Sequence, residues 1–397
     1  MIHSDSLACH RCFQDKALID FIRERGQRGW CRWCGGRNVY VVPLYELGDI
    51  FREAVTIYQP GEWDDDSISY LLQGDWQVYS NKIERASDDL MQEMTVSILK
   101  AGIDPKDYLS GDYPDFSEGF RRKEARLVDH WHEKAEAYYT GGEKPFAWIP
   151  TEGDTFGLDY EDFPDQLEVA FEDLSTTYGP GKILYRARKH DDRFRPERFR
   201  LSEMGAPPPT ETPAGRANRK NEPMLYLASD TETALAEVRA WRGIAVAVAT
   251  FQVKRRLSVV SLLNYAFPKS PFFDDLLEWK IQLGGLFYRL ADELSRPVLP
   301  REEDKIYFST QYLCDWVKKS GYDGIEYPSA MGSGHNIVLF NSDDAEPIEV
   351  KYVCITGSEH SYRELSYHDL IYDEGPFDYL FVKDRRVTAS KSLKGKS

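Results

Sequence analysis

Four of the six cysteines fall within the first 34 residues, in two Cys-x-x-Cys turns: "CHRC" (Cys9, Cys12) and "CRWC" (Cys31, Cys34), with 18 residues between them. Each turn can offer two thiolates to one tetrahedral ion, and this paired spacing is that of a structural zinc site. The gap is long enough for a hairpin or a short helix. Four thiolates leave no open position on the ion, so such a site holds structure together and does no chemistry. A redox pair is the competing reading of the same spacing. His10, inside the first turn, is a weaker ligand candidate than the four sulfurs. Cys314 and Cys354 stand alone in apolar surroundings and read as core fillers.

The rest of the chain divides by character. Residues 1–45 form the cysteine module, closing on the strand-like "NVYVVPLY", and 46–150 read as mainly helical. In that part "NKIERASDDLMQEMTVSILKAG" (81–102) carries Leu90, Met94 and Ile98 at spacings of four, and 115–139 reads as a longer helix ended by "YTGGEKP". Residues 151–166 are acidic and rich in turn formers, a linker. Residues 167–372 mix strands and helices, and 373–397 are a basic, Ser-rich solvated tail. The formal charge of −16 argues against broad nucleic-acid binding, which needs a basic face, although a local basic pocket is compatible with it. No apolar run approaches the roughly 20 residues of a membrane helix, and "MIHSDSLACH" lacks the order of a signal peptide. The expectation is a cytoplasmic protein with no membrane partner.

In 167–372, strands are expected at "KILYRAR" (182–188), "MLYLAS", "IAVAVATFQV" (244–253), "RLSVVSLL", "YDGIEYPS", "HNIVLF" and "IEVKYVCIT", and helices at "DTETALAEVRAW", "PFFDDLLEWKIQLGGLFYRLADEL" and 308–319. Their irregular alternation fits an α+β domain better than a doubly wound parallel sheet. No Gly-x-Gly-x-x-Gly follows a strand, so a Rossmann cofactor site has no support.

One helix poses a problem. Asp230 should cap it, and Ala234, Val238 and Trp241 then share an apolar stripe on which Glu237 also lies. Charged side chains are almost never fully buried unless paired. Glu237 is therefore either an edge carboxylate paired with a nearby arginine or an acid facing a cleft. Arg186 and Arg188 alternate with Tyr185 and Ala187 on an apolar strand, "AGRAN" puts Arg216 in a glycine-containing loop, and "YPSAMGSGHN" is a small, polar loop between two strands. Together these supply arginines for phosphates, hydroxyls for hydrogen bonds and one acid.

The stretches "LYRAR", "AGRAN", "LYLASDTETALAEVR" and "EYPSAMGSGHNIVLF" resemble the ordered motifs of the RES domain over roughly 180–355. The resemblance implies an ADP-ribosyltransferase-like α+β RES domain, here preceded by the zinc-knuckle and mainly helical parts. It further implies a toxin of a toxin–antitoxin pair, with a separate antitoxin chain as partner, that depletes NAD+ by hydrolysis or phosphorolysis. Motif by motif it assigns the catalytic arginine, glutamate and serine to Arg186, Glu237 and Ser329, and the NAD+-binding positions to Arg216, Tyr226 and Asn336. An ADP-ribosyltransferase acting on a protein, or a zinc-stabilised binding module with an inactive RES domain, are the alternatives. The N-terminal half more weakly resembles extensions of RES or HEPN-type proteins. HEPN ribonucleases pair an Arg with a His a few residues apart on one helix, and Arg126 and His132, with five residues between them, are a weak match, weighed against a plain charged helix surface.

Overall fold

The computed structural model describes residues 7–62, 65–123, 126–141, 163–190, 197–296 and 307–357. The fold is α+β. The chain divides into two compact units, one from the described residues of Met1–Glu124 and Phe267–Ile281, the other from those of Ala125–Ala266 and Gln282–Tyr379.

The first unit begins with β1 (Leu7–Cys9), α1 (Lys16–Arg25), β2 (Gln27–Gly29) and β3 (Val39–Pro43). The strands form an antiparallel sheet in the order β1-β3-β2. Helix α1 fills the gap between the cysteine pairs. Asp15 caps it by accepting the Leu18 N–H at 3.0 Å, and Leu18 and Ile22 face inward. There follow α2 (Leu44–Ala54), β4 (Tyr58–Pro60), β5 (Asp66–Ser67), α3 (Ile68–Trp76), α4 (Asn81–Glu84), α5 (Asp88–Lys100), α6 (Pro105–Ser110) and β6 (Gly119–Arg122). The expected stripe of α5 is present: Met94 and Ile98 are buried, with Met91 and Leu99 beside them, but Leu90 is only partly covered.

The expected helix over 115–139 is corrected at its start. Residues 119–122 are strand β6, paired with β4 and β5. Gly119 allows that pairing, since a Cβ there would sit 2.0 Å from the Glu62 carbonyl oxygen. Arg122 then reaches Asp75 with its Nε 3.0 Å from Oδ2, and Tyr58 donates to the same carboxylate at 2.9 Å.

The second unit opens with α7 (Arg126–Thr140) and α8 (Phe163–Asp173), and continues through β7 (Ser175–Tyr178), β8 (Ile183–His190), β9 (Leu225–Ala228), α9 (Thr231–Glu237), β10 (Ala245–Val253) and β11 (Leu257–Ser261). Helix α10 (Leu277–Ser295) starts in the first unit's segment. Helix α11 (Phe308–Lys319), β12 (Gly324–Pro328), β13 (His335–Leu339) and β14 (Ala345–Cys354) complete the described chain. Most of the acidic stretch 151–166 and all of 373–397 lie outside the described residues; 163–166 open α8.

Eight strands make one sheet, in the order β14-β10-β8-β9-β13-β12-β11-β7. All neighbours are antiparallel except β11 and β12. One face carries the main core, built on Leu184, Leu225, Leu227, Phe251, Val259, Ile337 and Leu339. On the other, Ala234 of α9 packs against Ala187, Ala228, Val246 and Val248, small side chains that let the helix lie close. β8 and β9 pair at one position alone, Tyr185 with Ala228. The sheet is splayed there, and the unit's cavity opens beside the splay. No helix among the described residues is long and apolar enough to cross a membrane.

Candidate functional site

Helix α9 is short. Asp230 caps it, accepting the Thr233 N–H at 2.7 Å, while its other oxygen takes the hydroxyls of Ser229 and Thr233 at 2.7 and 2.9 Å. The helix ends at Glu237. Val238 is its C-cap and Arg239 lies in the left-handed region with φ 46°. The stripe expected to run on through Trp241 therefore stops, and Trp241 is 59% exposed. Glu237 sits in the last turn, at the wall of a cavity of about 420 Å³, within the size range of small-molecule sites.

The β12–β13 loop holds this carboxylate. Ser329 Oγ accepts the N–H groups of Met331 and Gly332, each at 3.1 Å, and donates its proton to Glu237 Oε1 at 2.6 Å. Asn336, on β13 and buried, donates from Nδ2 to the same oxygen at 2.7 Å. Glu237 Oε2 has no partner among the described residues. The loop is pinned to the start of α9: Gly334 N–H donates to Thr233 Oγ1 and His335 N–H to Ser229 Oγ, both at 3.1 Å. A Cβ on Gly334 would meet Asp230 Oδ2 at 2.0 Å, so only glycine permits this approach.

Arg186 and Arg188 project from one face of β8, and both donate to the Gly205 carbonyl, at 2.7 and 2.8 Å. Arg186 lines the cavity and has no carboxylate partner among the described residues. Burial, and then the charge of Arg188, pull its pKa down to about 10, which still leaves it cationic at neutral pH. Arg216, also lining the cavity, donates one N–H to the Leu294 carbonyl and likewise lacks a carboxylate. Tyr226 forms part of the wall. Its hydroxyl donates to Asn218 Oδ1 at 2.7 Å and accepts the Ala217 N–H at 3.1 Å, fixing the loop that carries Arg216. Burial pushes that phenol's pKa up, so it stays a donor.

The structure thus brings Glu237, Ser329 and Asn336 into direct hydrogen bonding and sets Arg186, Arg216 and Tyr226 around the same cavity. Sequence reasoning did not single out Asn218, Gly205, Tyr307 or Tyr327. Asn218 lies inside the quoted "AGRAN", which was its available signal; the two tyrosines and the Gly205 carbonyl enter through tertiary packing.

In the other unit, the sulfurs of Cys9, Cys12, Cys31 and Cys34 all lie within 4.8 Å of one another, a group able to hold a metal ion. The separations Cys9–Cys12, Cys9–Cys34 and Cys12–Cys31 are 3.7, 3.4 and 3.5 Å. Four thiolates about 2.3 Å from a tetrahedral ion stand about 3.8 Å apart, so the set fits one such ion. On α7, His132 Nδ1 lies 2.8 Å from the Val128 carbonyl oxygen and Nε2 2.8 Å from Glu293 Oε1, so both ring nitrogens are engaged. The side chain of Arg126, the other half of the HEPN-like pair, lies outside the described residues.

Residues 183–363 match the family model described as the RES domain, and the chain carries a RES domain there, as its motifs imply. Among solved structures, one chain of the M. tuberculosis MbcT–MbcA toxin–antitoxin complex is similar at 16% identity. The match covers 48% of this chain and 92% of that one, with a TM-score of 0.28. No curated protein matches the chain.

Proposed function

We propose that the RES domain is an enzyme that cleaves the nicotinamide–ribose bond of NAD+, passing the ADP-ribosyl group to water or phosphate, and that it acts as a toxin restrained by a separate antitoxin chain. The RES match and the motif resemblance support the class. The observation that carries the chemistry is Glu237, with Oε1 fixed by two donors and Oε2 open at the cavity. As the C–N bond breaks, nicotinamide leaves with the bonding pair and becomes neutral, and positive charge builds on the ribose. A carboxylate that is already oriented stabilises that charge without reorganising. Arg186 and Arg216 have no carboxylate partners among the described residues, and their guanidinium groups suit the two negative charges of the pyrophosphate. Tyr226 offers a ring face to the base or ribose. With water as acceptor, its oxygen bonds to the ribose carbon and its proton passes to solvent.

The cysteine set we assign to structural zinc; the sulfur donors and their spacing support that metal, and no step of the reaction passes through it. The test is a time course of the purified chain with NAD+, quantifying nicotinamide and ADP-ribose by chromatography with and without phosphate. Equimolar nicotinamide and ADP-ribose, or ADP-ribose 1-phosphate when phosphate is present, is the expected result. Nicotinamide release matched by ADP-ribose covalently attached to protein would replace this reading with protein ADP-ribosylation. No release would sink both.

A further inference from the structure

The chain carries a formal charge of −16, yet residues 7–45 hold seven Arg and Lys against three Asp and Glu. Arg11, Arg23, Arg28 and Arg37 are exposed, and none of the four has a carboxylate partner among the described residues. His10 Nδ1 lies 3.3 Å from the Tyr40 carbonyl oxygen. His10 meets Tyr40 edge-on, with ring centroids 5.8 Å apart.

Across the sheet, Arg28 pairs opposite Tyr40. Its guanidinium lies 4.0 Å from that ring's centroid and donates to the Asn38 carbonyl at 2.7 Å. The cation is thus held in place, and its remaining N–H groups have no partner among the described residues. Two residues on, Trp30 is 47% exposed. Arg28, Gly29, Trp30, Arg37 and Asn38 line an open cleft of about 490 Å³. Gly29 keeps the floor of the cleft low and the sheet closed, since a Cβ there would lie 2.7 Å from a methyl of Val41.

An exposed indole between guanidinium groups that have no carboxylate partner among the described residues is the chemistry that receives an unpaired base and its flanking phosphates. A divalent ion held by four thiolates would carry a net −2, and arginines around it could serve only to balance that charge. That role accounts for the cations but not for the exposed indole or the cleft beside it. An acidic protein surface would likewise use the arginines and leave Trp30 unexplained. We propose that the cysteine module binds single-stranded nucleic acid in this cleft, a base stacking on Trp30 and phosphates seated by Arg28 and Arg37. The site is separate from the RES cavity and does not depend on the function assigned there.

The test is fluorescence anisotropy of a short fluorescein-labelled oligouridylate with the full chain, over a range of salt. Binding should weaken as salt rises. Trp30→Ala should lower affinity about fivefold or more, the loss expected for one stacked base. Arg28→Glu and Arg37→Glu should each reduce the slope of log affinity against log salt by about 0.7. Trp241→Ala, which removes another exposed indole, should change nothing. Metal content measured on each variant confirms that the module is folded. Absence of binding at low salt, or binding indifferent to Trp30 and both arginines, overturns the proposal and leaves the arginines as charge balance. Polyglutamate competing as well as the oligonucleotide would point to an acidic protein partner. A duplex binding as tightly as the single strand would remove the stacking.

Discussion

Ser329 Oγ accepts two backbone N–H groups and has one proton left, which it gives to Glu237; Asn336 gives a second. Either donor's loss frees the carboxylate to rotate, but they differ in what else fails. Asn336→Ala leaves the loop turn intact and should lower the rate of nicotinamide release on the order of 10²-fold with NAD+ affinity little changed. Ser329→Ala also loosens the turn and should cost both rate and stability. Rates and denaturation midpoints of the two variants check this. His132 offers a pH test. Burial alone would lower its pKa, but the hydrogen bond and charge of Glu293 outweigh that and raise it above the ordinary value of 6.5. The pair's stabilisation is therefore complete below that ordinary value and is lost as pH rises through the raised one. Urea unfolding of the chain and of His132→Gln should show a stability gap that narrows with rising pH. The reading of Glu237 as an anomaly on an apolar face came from helix periodicity alone. What holds it did not, because Ser329 and Asn336 reach it only through a loop that returns from one strand to the next.

At the scale of elements, α9 and the β12–β13 loop act as one piece, joined through Asp230, Thr233, Ser229 and Gly334. Asp230→Ala removes the cap and should cost about 1 kcal/mol; it should also lower activity, since the loop carrying Ser329 loses its anchor. Asp230→Asn, which can still cap, should recover most of the stability. Thermal melts and NAD+ turnover together read both effects. Strand β6 has its own test. Asp75 has a side chain only 1% exposed and is held by Arg122, so Arg122→Ala strands a buried charge and should cost about 3–5 kcal/mol in urea unfolding. The helices α5 and α11 were legible because their stripes or boundaries are written locally. β6 was not: "GFRR" reads as readily within a charged helix, and pairing with β4 and β5 decides its state. Helix α9 was read too long for a related reason, since nothing in "EVRAW" forbids helix and the stop is a left-handed Arg239 set by the turn into β10.

At the scale of the molecule, two chemistries are carried by separate units: a four-sulfur group in one and a carboxylate-walled cavity in the other. The sulfur group was legible as spacing, and the RES domain as ordered motifs. The splay between β8 and β9 that opens the cavity was not, because it follows from pairing across the whole sheet. The account's central claim is that the open oxygen of Glu237 acts on the ribose. Its most direct test is the rate of nicotinamide release by Glu237→Gln beside the unchanged chain, with NAD+ affinity measured by calorimetry on both. The glutamine keeps the shape and removes the charge. Release slowed by about 10²-fold or more, with binding retained, is the predicted result; release at the rate of the unchanged chain would contradict it.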